Sequence, residues 1–272
     1  MSGSAGPILI VGAGAMGGAL IAGWLETGAF AAADLMIRDP APGALALAAQ
    51  KAGAWVNPPD TSLSQAKTVL LAVKPASWGT AAVTVAPHIA PDAVVISIVA
   101  GVGARQIGEA FGGRPVARAM PTTAAAIGRG TASLYAADAE ALRRAHALFE
   151  PVGEVVDLDD EDQLHAATAV SGSGPAYLYA FAEALADAGV AAGLGRPLAE
   201  RLARSTLTGA AALMGGSDDS PAKLRAAVTS PGGTTQAALE VLNGVGGLAT
   251  LLERAVAAAL ARSRELGEEA SR

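Results

Sequence analysis

The chain has 272 residues, 51% of them hydrophobic, a formal net charge of −6 and no cysteine. The missing cysteine excludes disulfides, thiolate nucleophiles and zinc–thiolate sites, and an acidic balance with no basic block argues against a nucleic-acid partner. That length and apolar content suffice for one large core or, better, two domains. The opening MSGSAG is small and uncharged, without the basic and apolar regions of a signal peptide, and reads as a short flexible lead. The longest apolar runs, 69–73 and 93–102, fall short of the roughly 20 residues that span a bilayer. The expectation is a soluble, cytoplasmic protein that needs neither a membrane nor a metal.

In chain order, a β-branched run at 8–11 ends at Gly12. Met16, Leu20 and Trp24 then recur at helical spacing and predict a helix over Ala15–Thr27. A second buried strand at 35–37 leads into Arg38-Asp39-Pro40, a helix over 44–52 and a short strand at Trp55-Val56. Strands at 68–73 and 94–99 run into the turns Lys74-Pro75 and Ala100-Gly101. Strands alternating with helices at this spacing predict parallel βαβ units with both sheet faces covered. Segments 116–120 and 132–135 extend the sheet, followed by a helix over Ala139–Phe149 and a strand near 154–158. From Glu161 onward no strand pattern appears, only alanine-rich helices broken at 193–197, 215–221 and 232–233. The predicted fold class is α/β: a parallel-sheet domain over 1–160, then an all-α domain over 161–272. The second domain is poor in large side chains, so a partner subunit is expected to complete its apolar faces.

Two motifs carry chemistry. Gly12-Ala13-Gly14-Ala15-Met16-Gly17 matches GxGxxG between a strand and a helix. There the first glycine makes the turn, the second admits a pyrophosphate and the third lets helix and sheet pack closely. At the end of the second strand an acid favours a free ribose 2′-hydroxyl and an arginine favours a 2′-phosphate. The chain has Arg38 and Asp39 side by side; Arg38 tilts the expectation to NADPH, with NADH still open. The second motif is Ser230-Pro231-Gly232-Gly233-Thr234-Thr235, a turn between two helices. Free amides and hydroxyls at the second helix's N-terminus suit a carboxylate; the alternative is a plain turn capped by threonine.

GAGAMG (12–17), LAVKP (71–75), SIVAGV (97–102), ARAMP (117–121), VSGSGPAYLY (170–179) and VTSPGGTT (228–235), taken in this order, resemble the pyrroline-5-carboxylate reductases over nearly the whole chain, about 8–266. The resemblance implies NAD(P)H-dependent reduction of the cyclic imine 1-pyrroline-5-carboxylate to L-proline, the last step of proline biosynthesis. It implies a Rossmann-type dinucleotide-binding domain over 1–160 and an all-α dimerisation and substrate-binding domain over 161–272, in a homodimer, able to assemble further, with an active site completed across the dimer. It places Ala72, Val73, Lys74, Pro75, Val99, Ala100, Gly101, Met120 and Thr122 in the cofactor cleft beside the glycine-rich turn. Ser230, Gly233, Thr234 and Thr235 would hold the imino acid, with Glu161, Ser173 and Gly174 near the intersubunit pocket.

Two positions depart from the family pattern. Thr122 stands where the family usually has Asn, and Arg38-Asp39-Pro40 replaces an Asn-Arg-like pair. None of His88, His146 and His165 sits in a catalytic motif. A protonated imine already carries the charge that draws hydride, so orientation supplies much of the catalysis. Thr235 is the expected catalytic hydroxyl near the ring nitrogen, or else a helix cap. The β-hydroxyacid dehydrogenases open with a similar GxGxMG but resemble one another in a catalytic lysine on the interdomain helix. Here the lysines are Lys51, Lys67, Lys74 and Lys223, and the helix starting near Ser173 has none. A non-catalytic nucleotide sensor on the same fold would have no evident use for the carboxylate turn.

Overall fold

A computed structural model describes residues 6–270; all of the expected flexible lead but Gly6 lies outside them. Eight strands form one sheet in the order β3-β2-β1-β4-β5-β6-β7-β8. They are β1 (Ile8–Val11), β2 (Leu35–Arg38), β3 (Trp55–Val56), β4 (Thr68–Leu71), β5 (Val94–Ser97), β6 (Val116–Pro121), β7 (Gly130–Ala136) and β8 (Gly153–Asp157). Five helices accompany them: α1 (Ala15–Thr27), α2 (Ala44–Lys51), α3 (Trp78–Val85), α4 (Ala104–Ala110) and α5 (Ala139–Phe149).

Side chains alternate along a strand, so the central strands feed two cores. Ile8 and Ile10 of β1 pack with Leu20, Trp24, Leu148 and Phe149 of α1 and α5. Leu9 and Val11 face the other way, among Val85 of α3 and Ile107 of α4. A strand buried on both faces can be apolar throughout, which is why β1 reads ILIV. One pairing departs from the parallel rule, and one expectation is corrected. The pair β6–β7 is antiparallel while the other neighbours are parallel; residues 122–129 are too few for the crossover of about a dozen that a parallel return needs. Strands expected over 68–73 and 94–99 end at Leu71 and Ser97, each donating one more ladder bond, from Ala72 to the Val11 carbonyl and from Ile98 to that of Leu71, before diverging.

The remaining helices are α6 (Gln163–Ala167), α7 (Gly174–Ala191), α8 (Arg196–Gly215), α9 (Pro221–Ala227), α10 (Thr234–Leu242) and α11 (Leu248–Ala270), with a π-helical turn at Thr168–Gly172. The expected breaks at 193–197, 215–221 and 232–233 all separate helices; a further break at 243–247 divides α10 from α11. Two compact units result: a sheet unit through Gly172 together with the chain from Ala259 onward, and a helical unit, Ser173–Ala258. The packing units divide after Gly172, and the segment from Ala259 packs with the sheet unit. Leu164 and Ala169 are buried, and Glu161 bonds the first amide of α4, so the stretch after β8 is held to the sheet unit by packing and charge.

Within the helical unit the buried residues are Ala186, Ala199 and Ala203, packed with Val190. Tyr179, Leu213, Val228 and Val241 are each more than 60% exposed. Small side chains bury little area, so this unit has almost no core of its own in a single chain.

Trp24 is wholly buried, donates from Nε1 to the Leu148 carbonyl at 2.7 Å and meets Phe30 edge-on with ring centroids 5.4 Å apart. Trp24→Phe leaves that buried carbonyl unpaired and opens a small void. It is expected to cost about 2–4 kcal/mol, read by urea unfolding of the full chain. His146 lies 2.7 Å from Glu150 Oε1 and 2.9 Å from Asp157 Oδ1. Burial pulls its pKa down, but the hydrogen bonds to Glu150 and Asp157 outweigh that and raise it above 6.5 overall. A raised folded pKa stabilises below the unfolded value and loses that stabilisation as pH rises through the folded one. The stability gap between the native chain and His146→Gln is therefore expected to be larger at pH 6 than at pH 8.5.

Candidate active site

At the C-terminal end of β1 the chain turns directly into α1. A Cβ on Gly12, where φ is +96°, would lie 2.6 Å from the Ala72 carbonyl oxygen, and one on Gly17 would lie 2.2 Å from that of Gly12. Both positions are glycine because backbone packs on backbone. Gly14 differs: a Cβ there meets nothing within 4 Å, so the space above it is open. Gly14 is also the N-cap of α1, with no side-chain cap and no acid in the first turn. The helix end is left for an outside anion, and a dinucleotide's pyrophosphate fits that vacancy in the donor set.

Beside it runs a cleft of about 1080 Å3, lined among others by Gly12, Gly14, Arg38, Asn57, Lys74 and Thr80. It lies where β1 has β2 on one side and β4 on the other, the point of reversal in strand order at which open α/β sheets bind ligands. The volume sits at the upper end of the ligand-site range of about 300–1,000 Å3, as an extended cofactor requires. Asp39 closes one end: its Oδ2 accepts from the Ala13 N–H at 2.6 Å and its Oδ1 from that of Ala41 at 2.8 Å. Asn57, in the left-handed region at φ +49°, bonds both ways to the Asp39 backbone. Arg38 donates from Nη1 to the Pro58 carbonyl at 2.7 Å and from Nη2 to Asp60.

A second cleft of about 720 Å3 opens within the sheet unit, lined by Gly101, Arg118, Glu161, His165, Arg264 and Gly267 among others. Arg118 is 5% exposed and pairs with Glu161 Oε1 at 3.0 Å. The same oxygen accepts from the Ala104 N–H, at the start of α4, at 2.7 Å. Glu161 thus offsets a buried cation and caps a helix with one atom. A Cβ on Gly101, at φ +79°, would come within 2.9 Å of the Gly267 backbone, so the last turns of α11 close directly on this loop. His165 Nδ1 lies 2.9 Å from Ser263 Oγ. Burial, and then the Arg118 charge, lower its pKa and so favour the neutral imidazole.

Of the residues expected from sequence, Gly12, Gly14, Arg38, Ala72, Val73 and Lys74 line the first cleft. Ala15, Met16 and Gly17 form the first turn of α1, and Pro75 opens the turn after β4. Gly101 and Glu161 line the second cleft, with Ala100 adjoining. Val99 is 2% exposed and belongs to the core. Met120 is half-buried near the end of β6. Thr122 is buried and brackets Thr131: its N–H donates to the Thr131 carbonyl and its Oγ1 accepts the Thr131 N–H, each at 3.0 Å. The hydroxyl in the family's usual Asn position therefore closes the β6–β7 ladder. Ser173 is the N-cap of α7 with its hydroxyl uncommitted to the cap, and Gly174 faces open space.

In the helical unit, Ser230–Thr235 forms the expected turn. Gly232 adopts φ +72°, the Gly233 N–H returns to the Ser230 carbonyl at 3.0 Å, and Gly233 is the N-cap of α10 with no side-chain cap. Thr234 and Thr235 are the first two helical residues and both are exposed. The alternative of Thr235 as a helix cap is set aside, because Gly233 holds that position. Gln236 braces the loop, accepting the Gly232 N–H at 2.8 Å. Sequence reasoning missed Gln236, Asn57, Asp60 and Arg118. Only Arg118 gave a signal, a lone cation inside an apolar strand; the others are polar loop residues of ordinary type.

Two family models match the chain: pyrroline-5-carboxylate reductase dimerisation over 161–266, and NADP oxidoreductase coenzyme F420-dependent over 7–101. The chain is 40% identical to the pyrroline-5-carboxylate reductase of Pseudomonas aeruginosa, with 96% of this chain and 97% of that protein covered. It is similar in structure to a pyrroline-5-carboxylate reductase from Coxiella burnetii, at TM-score 0.87 and 31% identity over 97% of this chain and 99% of that one. A Plasmodium falciparum pyrroline carboxylate reductase with NADP bound superimposes at TM-score 0.80 and 26% identity, covering 96% and 97%. A glycine-rich turn with an open helix end, an SPGGTT turn at another, and near-complete alignment with these enzymes place one conclusion on firm ground: the chain belongs to the pyrroline-5-carboxylate reductase family.

Proposed function

We propose that this protein reduces 1-pyrroline-5-carboxylate to L-proline, with NADPH as the electron donor. The observation that carries the reading is the α10 N-terminus: an exposed helix end with no side-chain cap and no acid in its first turn, presented by Ser230-Pro231-Gly232-Gly233. Such an end attracts a carboxylate through its unpaired N–H groups and the helix dipole. The imino acid's carboxylate would accept from the Thr234 and Thr235 amides, while Gln236 keeps the loop in shape through the Gly232 N–H. Holding the carboxylate fixes the ring and so presents one face of the C=N bond. When bound, NADPH supplies the hydride that the imine carbon accepts. The Thr235 hydroxyl would donate to the ring nitrogen as that atom becomes an amine, and its proton need not leave the threonine if the imine is already protonated.

The first cleft, with Gly14 open beneath and Lys74 in the turn after β4, would take the dinucleotide. In the second cleft, Glu161 is committed to Arg118 and the Ala104 amide, so its part is to hold the 100–104 loop rather than to touch the imino acid. Ser173 and Gly174 remain candidates for the substrate pocket. The bare apolar residues of the helical unit support a homodimer, the arrangement for which the matched dimerisation family is named. Among the described residues no helix is long and apolar enough to cross a membrane, and no cluster of metal-ligating side chains occurs.

The reading is tested by following NADPH oxidation with synthetic pyrroline-5-carboxylate and identifying proline by mass spectrometry; bound cofactor without proline would overturn it. Thr235→Ala is expected to lower kcat about 100-fold, the lower end of what a placed proton donor supplies, while the NADPH Kd stays within twofold. Thr235→Ser should recover most of the rate, and an unchanged kcat in the alanine variant would remove the hydroxyl from the mechanism. Sedimentation of the native chain should show a dimer or a multiple of it. Tyr179→Lys together with Leu213→Lys, on the bare face, should shift it toward monomer.

A further inference from the structure

Arg38 is the residue that a 2′-phosphate would seek, and in this structure its guanidinium is already engaged. Nη1 donates to the Pro58 carbonyl at 2.7 Å, and Nη2 forms an ion pair with Asp60 Oδ1. Asp60 sits just after β3 and also has His88 Nε2 at 3.7 Å from its other oxygen. Arg38 and Asp39 both line the first cleft, and both have protein partners, since the Asp39 carboxylate accepts from Ala13 and Ala41.

We infer that Asp60 sets this protein's preference between NADPH and NADH by competing with the 2′-phosphate for Arg38. The inference rests on the proposed use of a nicotinamide dinucleotide and adds the residue that governs which one. A guanidinium recognises carboxylate and phosphate through the same planar fork of donors. A phosphate docking on Arg38 must displace or share the Asp60 carboxylate, and it brings close to two negative charges up to a third. NADH meets no such conflict, because a ribose 2′-hydroxyl can donate to a carboxylate. Asp60 therefore penalises NADPH selectively. The ion pair is partly exposed, with side-chain accessibilities of 30% and 47%, so the penalty is a modest one that solvent and salt reduce.

The other features of the molecule lead elsewhere. The second cleft is built on Glu161 and Arg118 of the site already described. The charged groove between α7 and α8, with Asp187, Arg196 and Glu200, pairs its own charges. The apolar face of the helical unit belongs to the proposed dimer.

The experiment is calorimetric titration of NADPH, NADH, 2′-AMP and 5′-AMP into the native protein, Asp60→Asn and Arg38→Ala, at low and high salt. Asp60→Asn keeps the shape and removes the charge. It is expected to tighten NADPH and 2′-AMP about fivefold or more, the effect of one unscreened charge a few ångströms away, and to leave NADH and 5′-AMP within twofold. The gain should shrink as salt rises, and Arg38→Ala should abolish the discrimination between 2′-AMP and 5′-AMP. Equal changes for both dinucleotides, or weaker NADPH binding by Asp60→Asn, would overturn the inference; the second result would make Asp60 an orienting partner of Arg38. Native protein that binds neither dinucleotide would instead overturn the cofactor reading, and this inference with it.

Discussion

A backbone-on-backbone contact at one end of β1 organises the sheet unit. Gly12 presses on the Ala72 carbonyl and Gly17 on that of Gly12, so α1 starts hard against the junction of β1 and β4. That approach leaves the N-terminus of α1 without a side-chain cap, while Asp39 takes the Ala13 N–H just before it. The cost of leaving helix donors unpaired falls on the protein alone and is relieved when an anion arrives. The rest of the sheet supports this arrangement: β1 is buried on both faces, its neighbours are parallel on either side, and the strand order reverses across it.

Charge is then distributed sparingly around the two clefts. One carboxylate oxygen of Glu161 serves a buried arginine and a helix amide together, a combination that stabilises because neither partner could be left alone in a low-dielectric setting. Asp39 does comparable work with its two oxygens on two amides. Asp39, Glu161 and Asp162, which line the clefts, each have protein partners. The exception in kind is the pair Arg38–Asp60, in which the partner of the cation has the same sign as the ligand's phosphate.

The helical unit follows a different logic. With alanines as its buried residues, it makes close helix contacts but gains little from burial. Its large apolar side chains lie outside, and the α10 turn with its uncapped end is exposed beside them. The unit is therefore built to be completed by another surface, in agreement with the dimerisation family that it matches.

Local chemistry was legible in the sequence wherever it depends on short-range steric rules. A GxGxxG between a β-branched strand and an apolar helix, a Ser-Pro-Gly-Gly turn before Thr-Thr, and Pro or Gly at helix ends all act within a few residues, and each appeared where expected. So did the α/β-then-α order, because hydrophobic period reports on the immediate neighbourhood of each element. What only the tertiary structure decided involves partners far apart in the chain. Glu161 meets Ala104 and Arg118, Arg38 meets Asp60, and Thr122 meets Thr131 across a strand pair. No periodicity encodes which cation an acid will find, since that depends on how strands are ordered and where loops end. Residues after β8 are a further case: a long-range ion pair of Asp162 with Arg264 and the burial of Leu164 hold them to the sheet unit.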